Sequence, residues 1–183
     1  MSKIGKQEIK IPAGTEITWN YNSVTVKGPK GELTKKLRLD GFVLSVDKGA
    51  FKVIPPTQLD KRAHSMWGTL TSVIGSMLKG IAVPFSKVLE FEGIGYKAEV
   101  AGNEVILNMG FSHPVKVKIL EGITVAVQKN QITVSGVDKD KVGLFAARIR
   151  KVRKIEPYKL TGIKYQGEVV KKKAGKKLAG SGA

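Results

Sequence analysis

Residues 11–28 of this 183-residue chain recur without a gap at residues 119–136, an offset of 108. Ile11 meets Ile119, Gly14 meets Gly122, Ile17 meets Val125, Trp19 meets Val127, Asn22 meets Asn130, Val24-Thr25-Val26 meets Ile132-Thr133-Val134, and Gly28 meets Gly136. Glycines, a turn asparagine and an alternating apolar run repeated at one spacing imply a duplicated unit, and so two similar domains joined near residues 82–85. The repeat is partial in this register. The next helical pattern comes roughly thirty residues after Gly28 but only a few after Gly136.

Within each half, the period of the apolar residues gives the elements. Ile17, Trp19 and Tyr21, then Val24 and Val26, then Val43, Leu44, Val46, Phe51 and Val53 alternate with polar neighbours, as strands with one buried face do. Gly28-Pro29-Lys30-Gly31 and Asp47-Lys48-Gly49 mark turns, so the region reads as antiparallel hairpins. Leu59, Ala63, Met66, Trp67, Leu70, Val73, Ile74, Met77, Leu78 and Ile81 then follow helical spacing. They predict a helix over about 58–79, with Thr57 as N-cap, Asp60 as its acidic partner and Gly80 at its end. In the second half, strands are expected at 88–91, 96–100, 105–109, 115–119, 123–127 and 132–134. A helix over about 139–154 follows, striped by Val142, Phe145, Ile149 and Val152. The expected fold class is α+β: two similar small domains, each a mainly antiparallel sheet packed against one α-helix, with a basic C-terminal extension. The expected boundaries are 1–82, 83–167 and 168–183.

Charge narrows the partner. Thirty-two Lys and Arg against fifteen Asp and Glu give +17 and a pI near 10.0, which favours a polyanion. Nucleic acid fits best; an anionic membrane surface fits less well, because no apolar face is free for insertion. The chain has no cysteine, hence no disulfide framework, zinc knuckle or thiol nucleophile, as suits a reducing compartment. Its first residues lack a signal-peptide pattern, and no stretch approaches the roughly 18 apolar residues of a spanning helix. The expectation is a cytoplasmic protein, neither exported nor integral to a membrane.

The excess is concentrated. Residues 148–177 hold twelve basic side chains against Glu156 and Glu168, a net +10, leaving +7 for the other 153 residues. Arg148, Arg150, Lys151, Arg153 and Lys154 fall in or just after the second predicted helix, outside its apolar stripe. Glu156-Pro157 should break that helix, and Tyr158, Lys159, Leu160, Thr161, Gly162, Ile163, Lys164 and Tyr165 then form an extended loop. Its tyrosines can stack on bases or sugars while its lysines hold phosphate. Inward packing of Tyr158 and Tyr165 is the alternative. From Glu168 onward Lys171, Lys172, Lys173, Lys176 and Lys177 alternate with Gly and Ala, as a flexible tail would.

Catalytic signals are weak. His64 and His113 are far apart, with no metal-ligand spacing. Glu90 and Glu92 would share a strand face, where on a basic protein they more often form salt bridges than share a proton. Gly93-Ile94-Gly95 lacks the third glycine of a dinucleotide loop, and no Gly-Lys-Ser or Gly-Lys-Thr is present. No catalytic residue, cofactor, metal or small-molecule substrate is expected.

The segment Pro157-Tyr158-Lys159-Leu160-Thr161-Gly162-Ile163-Lys164-Tyr165 resembles the signature Pro-Tyr-Lys-Gly-Lys-Gly-Ile-Arg-Tyr of the large-ribosomal-subunit protein six family, in its bacterial or organellar form. The likeness extends to Gly28-Pro29-Lys30-Gly31-Glu32-Leu33, Trp67-Gly68-Thr69, Phe91-Glu92-Gly93-Ile94-Gly95-Tyr96-Lys97-Ala98, Gly110-Phe111-Ser112-His113-Pro114-Val115 and Gly136-Val137-Asp138-Lys139. The resemblance implies two α+β domains, the second bound to large-subunit ribosomal RNA near the region where translation factors dock, with ribosomal proteins as neighbours. It implies Tyr158, Lys159, Gly162, Lys164 and Tyr165 as RNA contacts. Leu160 and Thr161 depart from the family's Gly-Lys, and Thr71 stands where many relatives have arginine. A nucleic-acid-binding protein outside the ribosome is the competing reading.

Overall fold

The computed structural model describes residues 2–47, 49–58 and 60–175. The chain divides into two compact units, Met1–Phe85 with Gly136–Lys139, and Ser86–Ser135 with the chain from Asp140 onward.

The first unit runs β1 (Ile9–Lys10), β2 (Glu16–Asn20), β3 (Ser23–Gly28), β4 (Gly31–Lys36), β5 (Val43–Asp47), β6 (Ala50–Ile54) and α1 (Lys61–Ala82). Strands β2, β3 and β4 make an antiparallel meander, and β1-β6-β5 make a second antiparallel sheet. Alternation sets the faces. Val24 and Val26 of β3 and Phe51 and Val53 of β6 are buried, in one core with Trp67, Leu70, Ile74, Met77, Leu78 and Ile81 of α1. Trp67 also donates its indole N–H to the Val53 carbonyl at 2.8 Å, so its one polar atom is satisfied within that core.

Burial, more than propensity, holds α1, because glycine inside a helix costs about 1 kcal/mol relative to alanine. Gly75 and Gly80 are there for close approach: a Cβ at Gly75 would lie 3.1 Å from Ile9 Cδ1, and one at Gly80 would collide with the Val137 carbonyl. Gly80 therefore does not end the helix as expected. It continues to Ala82, where the Val83 N–H closes on the Lys79 carbonyl at 2.8 Å. The start also differs. Asp60, in place of Thr57, is the N-cap, its Oδ1 accepting the Ala63 N–H at 2.6 Å. A carboxylate caps well and suits the positive helix end. Lys48 and Leu59, assigned to a turn and to the helical stripe, lie outside the described residues.

The second unit runs β7 (Phe85–Glu92), β8 (Lys97–Ala101), β9 (Glu104–Asn108), β10 (Val115–Lys118), β11 (Ile123–Gln128), β12 (Gln131–Gly136), α2 (Lys139–Val152) and β13 (Gly162–Tyr165). Strands β10-β9-β8 form an antiparallel meander, and β11-β12-β7-β13 form the other sheet. The α+β class with one helix per domain holds, and in each unit the strands fall into two sheets. Strands β1, β4 and β13 were not anticipated.

The duplication is present, but its register is 81, not 108. In both units a first strand pairs with the second strand of a later hairpin, a three-stranded meander intervenes, and a helix follows. Glu16–Asn20 maps onto Lys97–Ala101, and the pairing Glu16↔Lys27 becomes Lys97↔Asn108. Gly14 and Gly95 have φ of 73° and 75°, and Gly41 and Gly122 both have 79°. The buried residues Val24, Val26, Phe51 and Val53 map onto Val105, Leu107, Ile132 and Val134. An offset of 108 instead superposes β2–β3 on β11–β12, hairpins that belong to different sheets of their units.

Candidate nucleic-acid interface

Helix α2 buries Val142, Phe145, Ala146 and Ile149, with Asp140 in its first turn and Arg150 and Lys151 in its last, as the helix dipole favours. Val152 is half-buried. On the other side Arg148 and Lys151, three residues apart and so neighbours on the helix surface, are exposed.

Beyond α2 the chain closes a compact loop. The Glu156 N–H donates to the Thr161 carbonyl at 2.8 Å and the Leu160 N–H to the Glu156 carbonyl at 2.9 Å. Leu160 takes φ +58°, the left-handed region that suits glycine. The extended loop expected at 158–165 is therefore half turn and half strand. Residues 162–165 pair antiparallel with β7, Gly162 opposite Glu92, Ile163 opposite Phe91, Lys164 opposite Glu90 and Tyr165 opposite Leu89. Ile163, fully buried, supplies the apolar anchor, and its N–H donates to the Arg153 carbonyl at 2.8 Å.

This geometry sorts the residues singled out in the sequence into two groups. Arg148, Lys151, Lys154, Lys159, Lys171, Lys172 and Lys173 are exposed, and Tyr158 at the loop tip is 49% exposed. The other group faces the protein. Lys164 Nζ lies 3.9 Å from Glu90 and 3.8 Å from Glu92. Tyr165 is half-buried, with Lys87 Nζ 4.8 Å and the Arg150 guanidinium 5.4 Å from its ring centroid. Arg153 donates to the Met109 carbonyl at 3.2 Å. Gly162, buried at φ +135°, is where main chains approach too closely for a side chain.

Glu168, expected to open a flexible tail, is an anchor. One carboxylate oxygen accepts from Arg150 Nη2 at 2.5 Å and the other accepts the Tyr165 N–H at 3.1 Å. These bonds, the backbone one foremost, hold its carboxyl below the usual carboxylate range. Further on, the Lys173 N–H donates to the Pro157 carbonyl at 3.0 Å, returning the basic segment to the loop. Lys176 and Lys177 lie outside the described residues. Nothing in the sequence ties Lys87 to this site, and Glu168 enters the charge sum only as a deduction. A lone acid in a basic run was the available signal.

Elsewhere, Thr71 is buried and donates to the Trp67 carbonyl at 2.9 Å. His64 is half-buried and His113 exposed. Among the described residues no group of three or more His, Asp and Glu is placed to hold a metal, and no helix is long and apolar enough to cross a membrane.

Fold and site together define a class: a duplicated α+β protein whose second unit carries a run of exposed cations between residues 148 and 173 and, within that run, an edge strand. The family described as "Ribosomal protein L6" matches this chain twice, over residues 11–83 and 92–166, segments whose starts are 81 residues apart. The "Large ribosomal subunit protein uL6" of Staphylococcus saprophyticus is 43% identical over 177 residues, covering 96% of this chain and 98% of that protein. Its namesake in Staphylococcus aureus is 42% identical over the same shares. This chain belongs to the ribosomal protein L6 family.

Proposed function

We propose that the protein is a structural constituent of the large ribosomal subunit, without catalytic activity. It binds large-subunit ribosomal RNA through its C-terminal unit, near the region where translation factors dock, with ribosomal proteins as neighbours, in ribosomes of the cytoplasm. Relatives that align along almost their whole length carry the large subunit in their names. The observation that carries the RNA reading is the sorting of charge: Glu90, Glu92 and Glu168 engage Lys164 and Arg150, while Arg148, Lys151, Lys154, Lys159 and 171–173 stay exposed on α2, the loop and the segment after it. Exposed cations of this density meet phosphates and release counterions.

The contacts are therefore Arg148, Lys151, Lys154, Tyr158, Lys159, Lys171, Lys172 and Lys173, with Lys176 and Lys177 continuing the run in sequence. Gly162, Lys164 and Tyr165 shape the surface that these present. The domains are the N-terminal unit, the C-terminal unit through the loop and β13, and the basic extension that Glu168 anchors. Sedimentation of ribosomal subunits in gradients of rising salt tests the reading: the protein should travel with the large subunit and leave it steeply as salt increases. Release from the subunit under conditions where it stays on DNA or lipid would favour the non-ribosomal alternative and sink this one.

A further inference from the structure

Two loops of the second unit, 93–96 and 110–113, take no part in the surface described above, yet they hold conspicuous apolar side chains. Ile94 is fully exposed and Phe111 is 45% exposed. Both stand on turns with a glycine in the left-handed region, Gly95 at φ +75° and Gly110 at +74°. Tyr96 braces the two turns: a Cβ at Gly93 would lie 2.5 Å from the Tyr96 ring, and one at Gly110 3.1 Å from it. Arg153 completes the cluster, its guanidinium 5.1 Å from the Phe111 centroid and 5.8 Å from that of Tyr96. The Met109 carbonyl fixes its position.

An accessible aromatic ring, an immobilised guanidinium over it and an exposed aliphatic side chain on the other turn that Tyr96 braces suit an unstacked nucleobase, whose π face takes the ring and whose phosphate takes the cation. An apolar protein segment would use Ile94 and Phe111 but gain nothing from the fixed cation, and a net charge of +17 favours the polyanion. We propose that Ile94, Tyr96, Phe111 and Arg153 form a stacking site for an unpaired base of ribosomal RNA, a contact separate from the exposed cations of α2, the loop and the tail. This rests on the RNA-binding reading above.

The test is binding of the full chain to a large-subunit ribosomal RNA transcript over a series of KCl concentrations, for wild type, Phe111→Ala, Phe111→Trp and Ile94→Ala. Phe111→Ala should lower affinity roughly 5- to 150-fold, the range for one stacked base, with the salt slope unchanged because no phosphate contact is lost. Phe111→Trp should restore it, Ile94→Ala should weaken binding severalfold, and urea midpoints should stay at the wild-type value. Unchanged affinity in both alanine variants overturns the site. So does a flattened slope in Phe111→Ala, which would mean that the ring serves only to place Arg153. Unchanged RNA affinity with lost retention in subunits would make the patch a protein-docking surface, again overturning it. Lys159→Ala is the control. If it flattens the slope while Phe111→Ala does nothing, only the stacking site fails; if neither has an effect, the RNA-binding reading fails with it.

Discussion

Gly162→Ala would put a methyl group where two main chains already touch. At φ +135° a side chain is strained by about 1–3 kcal/mol, and the added Cβ would lie 2.6 Å from Ile155 Cα and 2.7 Å from the Lys154 carbonyl oxygen. Those atoms cannot rotate away as a flexible side chain could. They are tied to the strand by the bridge between Lys154 and Ile163 and by the 2.8 Å bond from the Ile163 N–H to the Arg153 carbonyl. Relief requires breaking that bond, about 1 kcal/mol net, or partly withdrawing Ile163 from the core, with up to about 2 kcal/mol of lost burial. The expected cost is about 3–4 kcal/mol, in the range reserved for backbone and core damage. Urea denaturation followed by far-UV circular dichroism should show it. Both tryptophans, Trp19 and Trp67, belong to the first unit, so their fluorescence gives an internal control that should move little. RNA affinity should fall with stability, because β13 holds the loop that presents Lys159. A loss below about 1 kcal/mol would refute the claim that the 154–163 contact is rigid.

Other variants separate placement from contact. Lys159→Ala should flatten the logarithmic salt dependence of RNA binding by about 0.7–0.9, whereas Lys164→Ala, whose ammonium faces Glu90 and Glu92, should leave the slope unchanged and cost less than about 1 kcal/mol of stability; equal slopes for the two variants would contradict the sorting of cations. Glu168, with its carboxyl held below the usual range, contributes stability that is fully present above the unfolded value of about 4.3 and is lost as pH falls through the lower folded value. The stability gap between wild type and Glu168→Gln should therefore be constant from pH 5 to 7 and close below about pH 4, as urea midpoints would show. Asp60→Ala removes the cap of α1 and should cost about 1 kcal/mol, read from Trp67 fluorescence during denaturation of the first unit.

The elements were largely legible because their periods differ: alternation marked the strands, and spacing of three and four marked both helices. The register of the duplication was not. Over residues 11–28 an offset of 108 gives six identities and 81 gives three, so likeness alone favours the wrong match. The identical residues at 108 are those that any hairpin reuses, such as Gly14, Asn22 and Thr25, whereas the core positions matched at 81 exchange Val26 for Leu107 and Phe51 for Ile132 without loss of burial. Pairing partners, which fix the true register, are absent from a single strand's sequence. Strand β13 was hidden for a related reason. Its four residues show little alternation, and only the fully buried Ile163 and the distant partner β7 make it a strand.

Net charge likewise located the basic segment without saying which of its cations face outward. The three acids that composition merely subtracts make that choice. Glu168 draws Arg150 over Tyr165, and Glu90 and Glu92 hold Lys164 along β7. Half-exposed pairs of this kind add little stability, so their main effect is placement: with Lys164 and Arg150 engaged, Lys159 and Tyr158 are left at the tip. Leu160 fits the same account. Hydrogen bonds at both ends close the turn 156–161, and the left-handed backbone at Leu160 follows from that closure, at a strain of about 1–2 kcal/mol. Leu-Thr in place of Gly-Lys therefore removes a cation from the tip while the turn still closes, which leaves Lys159 and the lysines of 171–173, tethered by the Lys173 bond to Pro157, to carry the charge around the loop.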